Sequence, residues 1–259
     1  MLSIDEIKLK TNAKFIGKKI HLYDEIDSTN LEAFRLIEAG NASSGDIILA
    51  KSQSNGKGQG QNSWISPKGN LYISIISVTK STQYTHLLTF VAGMAVVSAL
   101  KSLYGINVQL KWVNDIVFDF KKLGGILTEV RTNGSISSVI TGIGLNLNHK
   151  VVNLNNPLFS PISLAEILDK DISINEVVAE LIENFENYIN LYHNSPQSLI
   201  YLWKKNSFTL GKEFLFSENL ITQNGKAIDV DENGFLIVDT FNSETKIIKC
   251  TKSSNIVYL

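Results

Sequence analysis

The feature that most restricts the fold is the apolar run "LLTFVAGMAVVSAL", which covers Leu87–Leu100. A helix that crosses a bilayer needs about 20 apolar residues, so this shorter run predicts a buried helix. We expect that helix to cover roughly Thr85–Tyr104 and to end near Gly105, a typical C-terminal stop. The chain is therefore expected to have no membrane span.

Two further features bear on the cellular compartment. The N-terminal sequence "MLSIDEIKLK" mixes charges early and lacks the apolar core of a signal peptide. A single cysteine, Cys250, excludes an intramolecular disulfide and fits a reducing compartment. The sequence thus predicts a cytoplasmic location.

Short strand-like runs lie on both sides of the buried helix. Those before it are "KIHLYDEID", "DIILAKSQ" and "NLYISIISVT", and those after it are "VQLKWVNDIVF", "KKLGGILTEVRT" and "SSVITGIGLNLN". Several strands neighbour each other without a strict βαβ alternation, which favours an α+β fold with a mixed sheet over a doubly wound one. Helices are predicted after Ser28 and, further along, as a short helix followed by a long one at roughly Ile174–His193. The Asn- and Pro-rich region Val151–Pro161 is predicted to be a loop.

The character of the sequence changes near Leu210. From there, short strand-like runs are separated by "QNGK", "DENG" and "NSET", which are turn signals. We predict two domains, an α+β domain at 1–209 and a small all-β barrel at 210–259. The formal net charge of −1 gives no indication of a general nucleic-acid-binding protein.

The loop "NGKGQGQNSW" (Asn55–Trp64) has glycines at alternate positions, which indicates a close approach of backbone to another group. The spacing lacks the G-x-G-x-x-G dinucleotide fingerprint, and a strand is predicted to follow. A P-loop is excluded because no Gly-Lys-Ser/Thr opens a helix. Two alternatives remain: a mobile hairpin tip, or a nest of backbone N–H groups around a phosphate, with Lys57 adding charge.

Two lysines occur within or beside apolar strand runs. "LKWVNDIV" contains Lys111, which must find an anion or reach water, and an ion pair with Asp115 would satisfy it. "KKLGGIL" has Lys122 just before two glycines. "GIGLNLN" (Gly142–Asn148) adds two glycines and alternating amides on one strand face, a pattern that a tightly packed central strand would also give.

Taken together, these segments resemble the biotin–protein ligase family. Four motifs occur in the family's order: "DSTN" (Asp27–Asn30), "QSNGKGQGQNSWISPKGNLYIS" (Gln53–Ser74), "KWVNDI" (Lys111–Ile116) with "KKLGGIL", and "GIGLNLN". A fifth segment, "GKAIDVDENGFL" (Gly225–Leu236), is similar to that family's C-terminal barrel. The resemblance covers nearly the whole chain. It implies a catalytic domain like those of class II aminoacyl-tRNA synthetases, followed by an SH3-like domain.

The resemblance also implies a two-step reaction. The biotin carboxylate attacks the α-phosphate of ATP to give biotinyl-5′-AMP and pyrophosphate, and a carrier lysine then attacks the mixed anhydride. Bringing two anions together requires cations and N–H donors. By resemblance, the catalytic residues are Lys57, Lys111, Lys122 and Asp115. Lys122 would contact biotin or its activated carbonyl, Lys111 the phosphate, and Asp115 would orient Mg²⁺ or accept a proton, since Mg²⁺ uses few carboxylates.

The binding residues follow from the same resemblance. A buried ureido ring needs hydrogen-bonding partners. Those assigned to biotin are Ser28, Thr29, Asn30, Gln53, Gly56, Lys57, Gly58, Lys122, Gly124, Gly125 and Gly142, with Gly144 also beside the ring and tail. Those assigned to the nucleotide are Lys57, Gln59, Trp64, Lys111, Asn114 and Asn146. Trp64 would stack near the adenine, with core packing as its alternative, and Asn30 would contact biotin or cap a helix.

The sequence departs from the family's pattern in its glycine loop, which typically reads G-R-G-R-x-G-R. Lys57 replaces the first Arg, and Gln59 and Asn62 stand where further Arg is usual. Lysine supplies charge without bidentate geometry, and the amides supply neither. We therefore expect weaker retention of the adenylate than in typical relatives. A second departure is Val113 in place of the usual Pro of "KWPND".

Three other functions are alternatives to this one. A lipoate or octanoyl transferase shares the fold class, and a non-catalytic biotin-binding or carrier-docking protein would bind without chemistry. The bifunctional branch of the family represses transcription through an N-terminal helix-turn-helix, for which too few residues precede Asp27, so a ligase without DNA binding is expected. The usual carrier is the biotin carboxyl carrier protein of acetyl-CoA carboxylase. A free strand edge would support a homodimer.

Overall fold

The computed structural model describes residues 2–80, 85–149, 160–218, 221–241, 245–248 and 255–258. Cys250 and residues 151–159 of the predicted loop lie outside this part of the chain. The same holds for residues 242–244 of the predicted "NSET" turn.

The order of elements follows the alternation of helical and strand-like patterns. The helices are α1 (Ile4–Lys10), α2 (Thr29–Glu38), α3 (Leu88–Tyr104), α4 (Leu164–Leu168), α5 (Ile174–Asn194) and α6 (Pro196–Lys205), with a 3₁₀ turn at Thr85–Leu87. The strands are β1 (Ile20–Tyr23), β2 (Ile47–Ala50), β3 (Leu71–Thr79), β4 (Gln109–Lys111), β5 (Asp115–Phe118), β6 (Lys121–Asn133), β7 (Ile136–Leu145), β8 (Glu213–Glu218), β9 (Ile221–Val230), β10 (Leu236–Asp239), β11 (Thr245–Ile248) and β12 (Asn255–Tyr258).

The strands form two sheets. Seven of them make one sheet in the order β1-β2-β3-β7-β6-β5-β4, in which β1 and β2 are parallel and the other pairs are antiparallel. The other five make an antiparallel sheet in the order β11-β10-β9-β8-β12. This confirms the predicted α+β fold with a mixed sheet and a small C-terminal β unit.

The apolar run lies in α3, and the main core is built around it. The predicted helix is confirmed, with a 3₁₀ first turn and an end at Gly105, whose φ is +70°. Among the described residues, Thr85–Tyr104 is a helix long and apolar enough to cross a membrane, but 72% of its most apolar window is buried inside the protein. The whole helix is therefore longer than the run Leu87–Leu100 on which the length argument was based, and length alone does not exclude a membrane span. The burial of the helix in the protein is what identifies it as a core helix.

Two parts of the predicted secondary structure need correction. "KWVNDI" does not lie in one strand: β4 and β5 form a tight antiparallel hairpin in which Lys111 pairs with Asp115, and the Trp112–Val113 peptide is cis. Two helices, α1 and α6, are not predicted from the sequence. α1 is capped by the Ser3 hydroxyl, and α6 begins at Pro196, a residue that favours the first helical position.

The C-terminal sheet packs against the hairpin that carries Lys111 and Asp115. The Trp112 backbone N–H donates to the Thr209 hydroxyl at 2.7 Å, and its indole N–H donates to the Gly234 carbonyl at 3.1 Å. One hydrophobic cluster continues from α3 into β8, β9 and β10. The proposed division into residues 1–209 and 210–259 stays a prediction.

Glu186, on α5, holds the segment before β1. Its carboxylate accepts hydrogen bonds from the backbone N–H groups of Lys14, Phe15 and Ile16 at 2.6 to 3.1 Å. Burial by itself raises the pKa of the Glu186 carboxyl, but these three donors outweigh it and hold the pKa below its ordinary value.

We predict that Glu186→Gln lowers the free energy of unfolding by about 1 kcal/mol near neutral pH, because the charged acceptor is lost. A carboxyl whose pKa is lowered by folding stabilises above its unfolded pKa, and that contribution is lost as the pH falls through the folded pKa. The difference between variant and wild type should therefore shrink in acid. Urea unfolding at several pH values measures it, with the exposed Glu232→Gln as control. A difference independent of pH would contradict the assignment.

Candidate active site

The centre of the candidate site is a cluster of two lysines around one aspartate. The Lys111 ammonium lies 2.8 Å from Asp115 Oδ2, and the Lys122 ammonium lies 2.6 Å from Asp115 Oδ1. Burial by itself raises the pKa of the Asp115 carboxyl, but Lys122 and Lys111 outweigh it and hold that pKa below the ordinary aspartate range. The ion pair suggested as an alternative for Lys111 is therefore present, and Lys122 shares it.

This cluster can attract an anion. Two ammonium groups around one carboxylate leave one positive charge in excess, and Asp115 keeps the two ammonium groups at a fixed spacing. Strand register produces the arrangement, since β4 pairs Lys111 with Asp115 and β5 pairs Asp115 with Gly125 of β6. Preorganised cations of this kind stabilise negative charge that develops in a transition state.

Asp115 does not fit a direct role as a Mg²⁺ ligand in this arrangement. Both of its carboxylate oxygens lie against ammonium groups, so a cation at either oxygen would have to displace a lysine. Within the described ranges, no group of three or more His, Cys, Asp or Glu side chains could hold a metal ion.

The glycine loop folds back on itself as a hairpin. Gly58 N–H donates to the Asn62 carbonyl at 2.8 Å, and Trp64 N–H donates to the Gly56 carbonyl at 2.8 Å. A Cβ on Gly56 would lie 2.4 Å from the Trp64 carbonyl oxygen, so the close approach indicated by the glycines is that of the loop to its own return strand. A phosphate nest would need these N–H groups to be released, while Lys57 is exposed beside them.

Trp64 links this loop to the lysine cluster. Its indole covers Gly125 and Gly144, where an added Cβ would lie 3.3 and 2.6 Å from the ring atoms. Lys122 Nζ lies 5.3 Å from the ring centroid, within cation–π distance. The indole N–H is buried and has no hydrogen-bond partner within the described part of the chain. The predicted stacking on adenine stays a prediction.

The predicted biotin-binding side chains meet at the start of α2. Gln53 Oε1 accepts from the Thr29 N–H at 2.9 Å and lies 3.2 Å from the Thr29 hydroxyl. Ser28 and Asn30, on either side of Thr29, are also buried. Ser28 is the N-cap of α2, yet its side chain makes no capping hydrogen bond to the helix, whose residues are all described. These polar groups come from two loops and one helix and meet where Gln53 contacts Thr29.

Four other residues predicted to bind biotin or the nucleotide are in contact with atoms of the protein itself. A Cβ on Gly142 would lie 2.3 Å from Asn30 Oδ1, and one on Gly124 would lie 2.5 Å from Leu145. Asn114 donates its amide to the Ile126 carbonyl and so ties the turn between β4 and β5 to β6. Asn146 donates to the carbonyls of Lys122 and Ile162 at 3.3 and 3.2 Å. Their contacts with biotin or nucleotide stay predictions.

Three polar residues of this region are not among the predicted site residues. Ser74 on β3 and Glu129 on β6 both contact Asn30, and Ser66 accepts a hydrogen bond from Gln53. Strand periodicity could have placed Ser74 and Glu129 on one face of their strands. It could not have shown that the two strands present that face to the same side chain.

Known proteins are similar to this chain in both sequence and fold. The model of the biotin/lipoate A/B protein ligase family matches residues 22–146, which points first to this class of ligases. The bifunctional ligase/repressor BirA of Bacillus subtilis is 30% identical over 251 residues, which are 95% of this chain and 77% of that protein. A biotin protein ligase from Aquifex aeolicus, solved in complex with biotin and ATP, matches with a TM-score of 0.80 and 26% identity over 93% of this chain and 100% of that one. The chain belongs to the biotin–protein ligase family.

Proposed function

We propose that this protein is a biotin–protein ligase, which activates biotin with ATP to biotinyl-5′-AMP and transfers it to a lysine of a carrier protein. The observation that carries the proposal is the Lys111–Asp115–Lys122 cluster, which lies beside the glycine loop through the contact of Lys122 with Trp64. A ligase of this type must hold two anions, a carboxylate and a phosphate, next to each other. Family membership and the relative solved with biotin and ATP support the same function.

Each member of the cluster has a role in this reaction. Lys122 neutralises the biotin carboxylate and later polarises the acyl carbonyl. Lys111 stabilises the negative charge that develops on the α-phosphate. Asp115 holds the two ammonium groups at a fixed spacing. During transfer, the carrier lysine must lose a proton before it attacks the mixed anhydride and displaces AMP, and Asp115 is the carboxylate within the cluster.

ATP enters this scheme as its magnesium complex, a substrate. Mg²⁺ commonly binds through substrate phosphates and retained waters with few protein carboxylates. The proposal therefore does not require Asp115 to leave its two lysines. The biotin carboxyl carrier protein as acceptor, a homodimer, a cytoplasmic location and the absence of DNA binding remain parts of the proposal. A gel shift with purified protein tests the last of these.

The first test is ATP–pyrophosphate exchange with purified protein and Mg²⁺, with and without biotin. Biotin-dependent exchange is the expected result. Exchange that depends on lipoate or octanoate in place of biotin would favour the acyl-transferase alternative. Biotin binding without any exchange would favour the alternative of a non-catalytic biotin-binding protein.

The altered glycine loop gives a separate prediction. Because Lys57 and Gln59 replace arginines that are usual in the family, we expect biotinyl-5′-AMP to dissociate about tenfold faster from the wild type than from a Gln59→Arg variant. Release of labelled adenylate after dilution measures the rate. Gln61→Arg, at an exposed position two residues along the same loop, is the matched control for added charge. Equal dissociation rates for the wild type and Gln59→Arg would contradict the prediction.

A further inference from the structure

We propose that Glu129 is a positioning residue that fixes the hydrogen-bond polarity of the biotin site, so that the Thr29 hydroxyl can only accept a hydrogen bond from the ligand. The site thereby requires an N–H donor on the ligand ring. The inference rests on the proposed function and adds to it the reason for selecting a ureido ring. Glu129 acts through Asn30 and Ser74 and does not itself contact the ligand.

The first step is the orientation of the Asn30 amide. Asn30 Nδ2 lies 2.8 Å from Glu129 Oε2 and 3.2 Å from the Leu127 carbonyl. An ionised carboxylate and a carbonyl only accept hydrogen bonds, so both hydrogens of the amide point toward them. Asn30 Oδ1 must therefore face the opposite side, where it lies 2.6 Å from the hydroxyl of Ser74.

The second step concerns Ser74, which is fully buried and has a single hydroxyl hydrogen. Asn30 Oδ1 is a pure acceptor, so Ser74 donates its hydrogen there. The Ser74 oxygen also lies 2.8 Å from Thr29 Oγ1. With its own hydrogen committed, Ser74 can only accept on that side.

The third step fixes Gln53. Its Oε1 accepts from the Thr29 N–H at 2.9 Å, and its Nε2 donates to Ser66 Oγ at 2.9 Å. Ser66 in turn donates to the Trp64 carbonyl at 2.8 Å, which confirms that Ser66 is the acceptor from Gln53. Gln53 therefore presents an oxygen to the Thr29 hydroxyl.

The Thr29 hydroxyl now has two neighbours, Ser74 Oγ and Gln53 Oε1, and both are acceptors. Its single hydrogen is donated to one of them. Only lone pairs remain for a third partner, so a ligand at this position must bring a donor. Biotin's ureido ring carries two N–H groups, whereas the dithiolane ring of lipoate carries none, and a buried acceptor left unpaired is costly.

The chain of contacts predicts a specific role for Glu129. Glu129→Met keeps the side-chain length and leaves the Leu127 carbonyl, at 3.2 Å, as the remaining acceptor for the Asn30 amide. The orientation of Asn30, and with it the polarity of Ser74 and Thr29, is then held less firmly. Glu129→Gln can present its oxygen to Asn30 and should restore the wild-type pattern. Glu38→Met, at an exposed acidic position on α2, is the matched control.

The experiment measures binding of biotin, and of an analogue whose ureido N–H nearest Thr29 is replaced by oxygen, by calorimetry on the full chain. For the wild type, Glu129→Gln and Glu38→Met, we expect the analogue to bind at least 50-fold more weakly than biotin. For Glu129→Met, we expect biotin to bind about 10- to 30-fold more weakly than to the wild type and the penalty for the analogue to fall below about fivefold. The KM for ATP should change less than twofold.

Several outcomes would overturn the proposal. If Glu129→Met weakens biotin and the analogue by the same factor, its role is structural only. If it leaves biotin binding unchanged, Glu129 has no part in recognition. Should Glu129→Met fail to fold, Glu129→Asp replaces it, because its side chain is one methylene shorter and moves the carboxylate away from Asn30. Binding of biotin and of the analogue is then compared in that variant. A wild type that binds no biotin would overturn the proposed function as well, whereas biotin binding with an unchanged analogue penalty overturns the inference alone.

Discussion

Replacing Asp115 by asparagine is expected to lower the maximal rate of biotin-dependent ATP–pyrophosphate exchange by about 10²- to 10³-fold, the usual cost of removing a preorganised electrostatic group. The asparagine side chain has the same shape but cannot neutralise the ammonium groups that lie 2.8 and 2.6 Å from the two carboxylate oxygens. Lys111 and Lys122 would then repel each other and lose their common anchor. Steady-state kinetics with saturating biotin and ATP measure the effect.

A matched control is available at the other end of the same strand. Asp119 follows β5, is exposed and has a φ of +46°, a conformation that asparagine tolerates as well as aspartate does. Asp119→Asn should keep the wild-type rate within about twofold. If Asp115→Asn also kept it, Asp115 would be a structural ion-pair partner and the proposed chemistry would need another centre.

Replacing Lys122 by glutamine is expected to have the second largest effect, a loss of about 10²-fold or more in kcat/KM for biotin. Lys122 binds Asp115 on one side and lies 5.3 Å above the Trp64 ring on the other, so its charge is at the junction of the cluster and the glycine loop. Glutamine removes the charge that would neutralise biotin's carboxylate. Lys122→Arg should recover only part of the activity, because a planar guanidinium does not replace a compact ammonium.

Lys121 provides the control for Lys122, because it is the adjacent residue at the exposed start of β6. Lys121→Gln changes the net charge equally and should keep kcat/KM within about twofold. Thermal unfolding of both variants separates loss of chemistry from loss of stability. Equal losses of kcat/KM in Lys121→Gln and Lys122→Gln would mean that the general charge of this edge matters and not the specific ammonium.

The sequence by itself determined the α+β class, the buried helix α3, the existence of most strands, and the residue types from which a two-anion site can be built. These features depend on local patterns: apolar runs, period-2 alternation, turn residues and short motifs. α1 and α6 were missed because each is short and its stability comes from packing more than from propensity. "KWVNDI" was assigned to one strand because its apolar residues conceal the turn between β4 and β5.

Only the tertiary structure decided which of these residues meet. Asp115 is shared by two lysines because β4, β5 and β6 are in one register, and a shift by one residue would turn the side chains to the opposite face. Asn30 reaches Ser74 and Glu129 across sequence separations of 44 and 99 residues. Such contacts follow from strand order and pairing, which local sequence does not encode, so the polarity of the predicted biotin site could be read only from the folded chain.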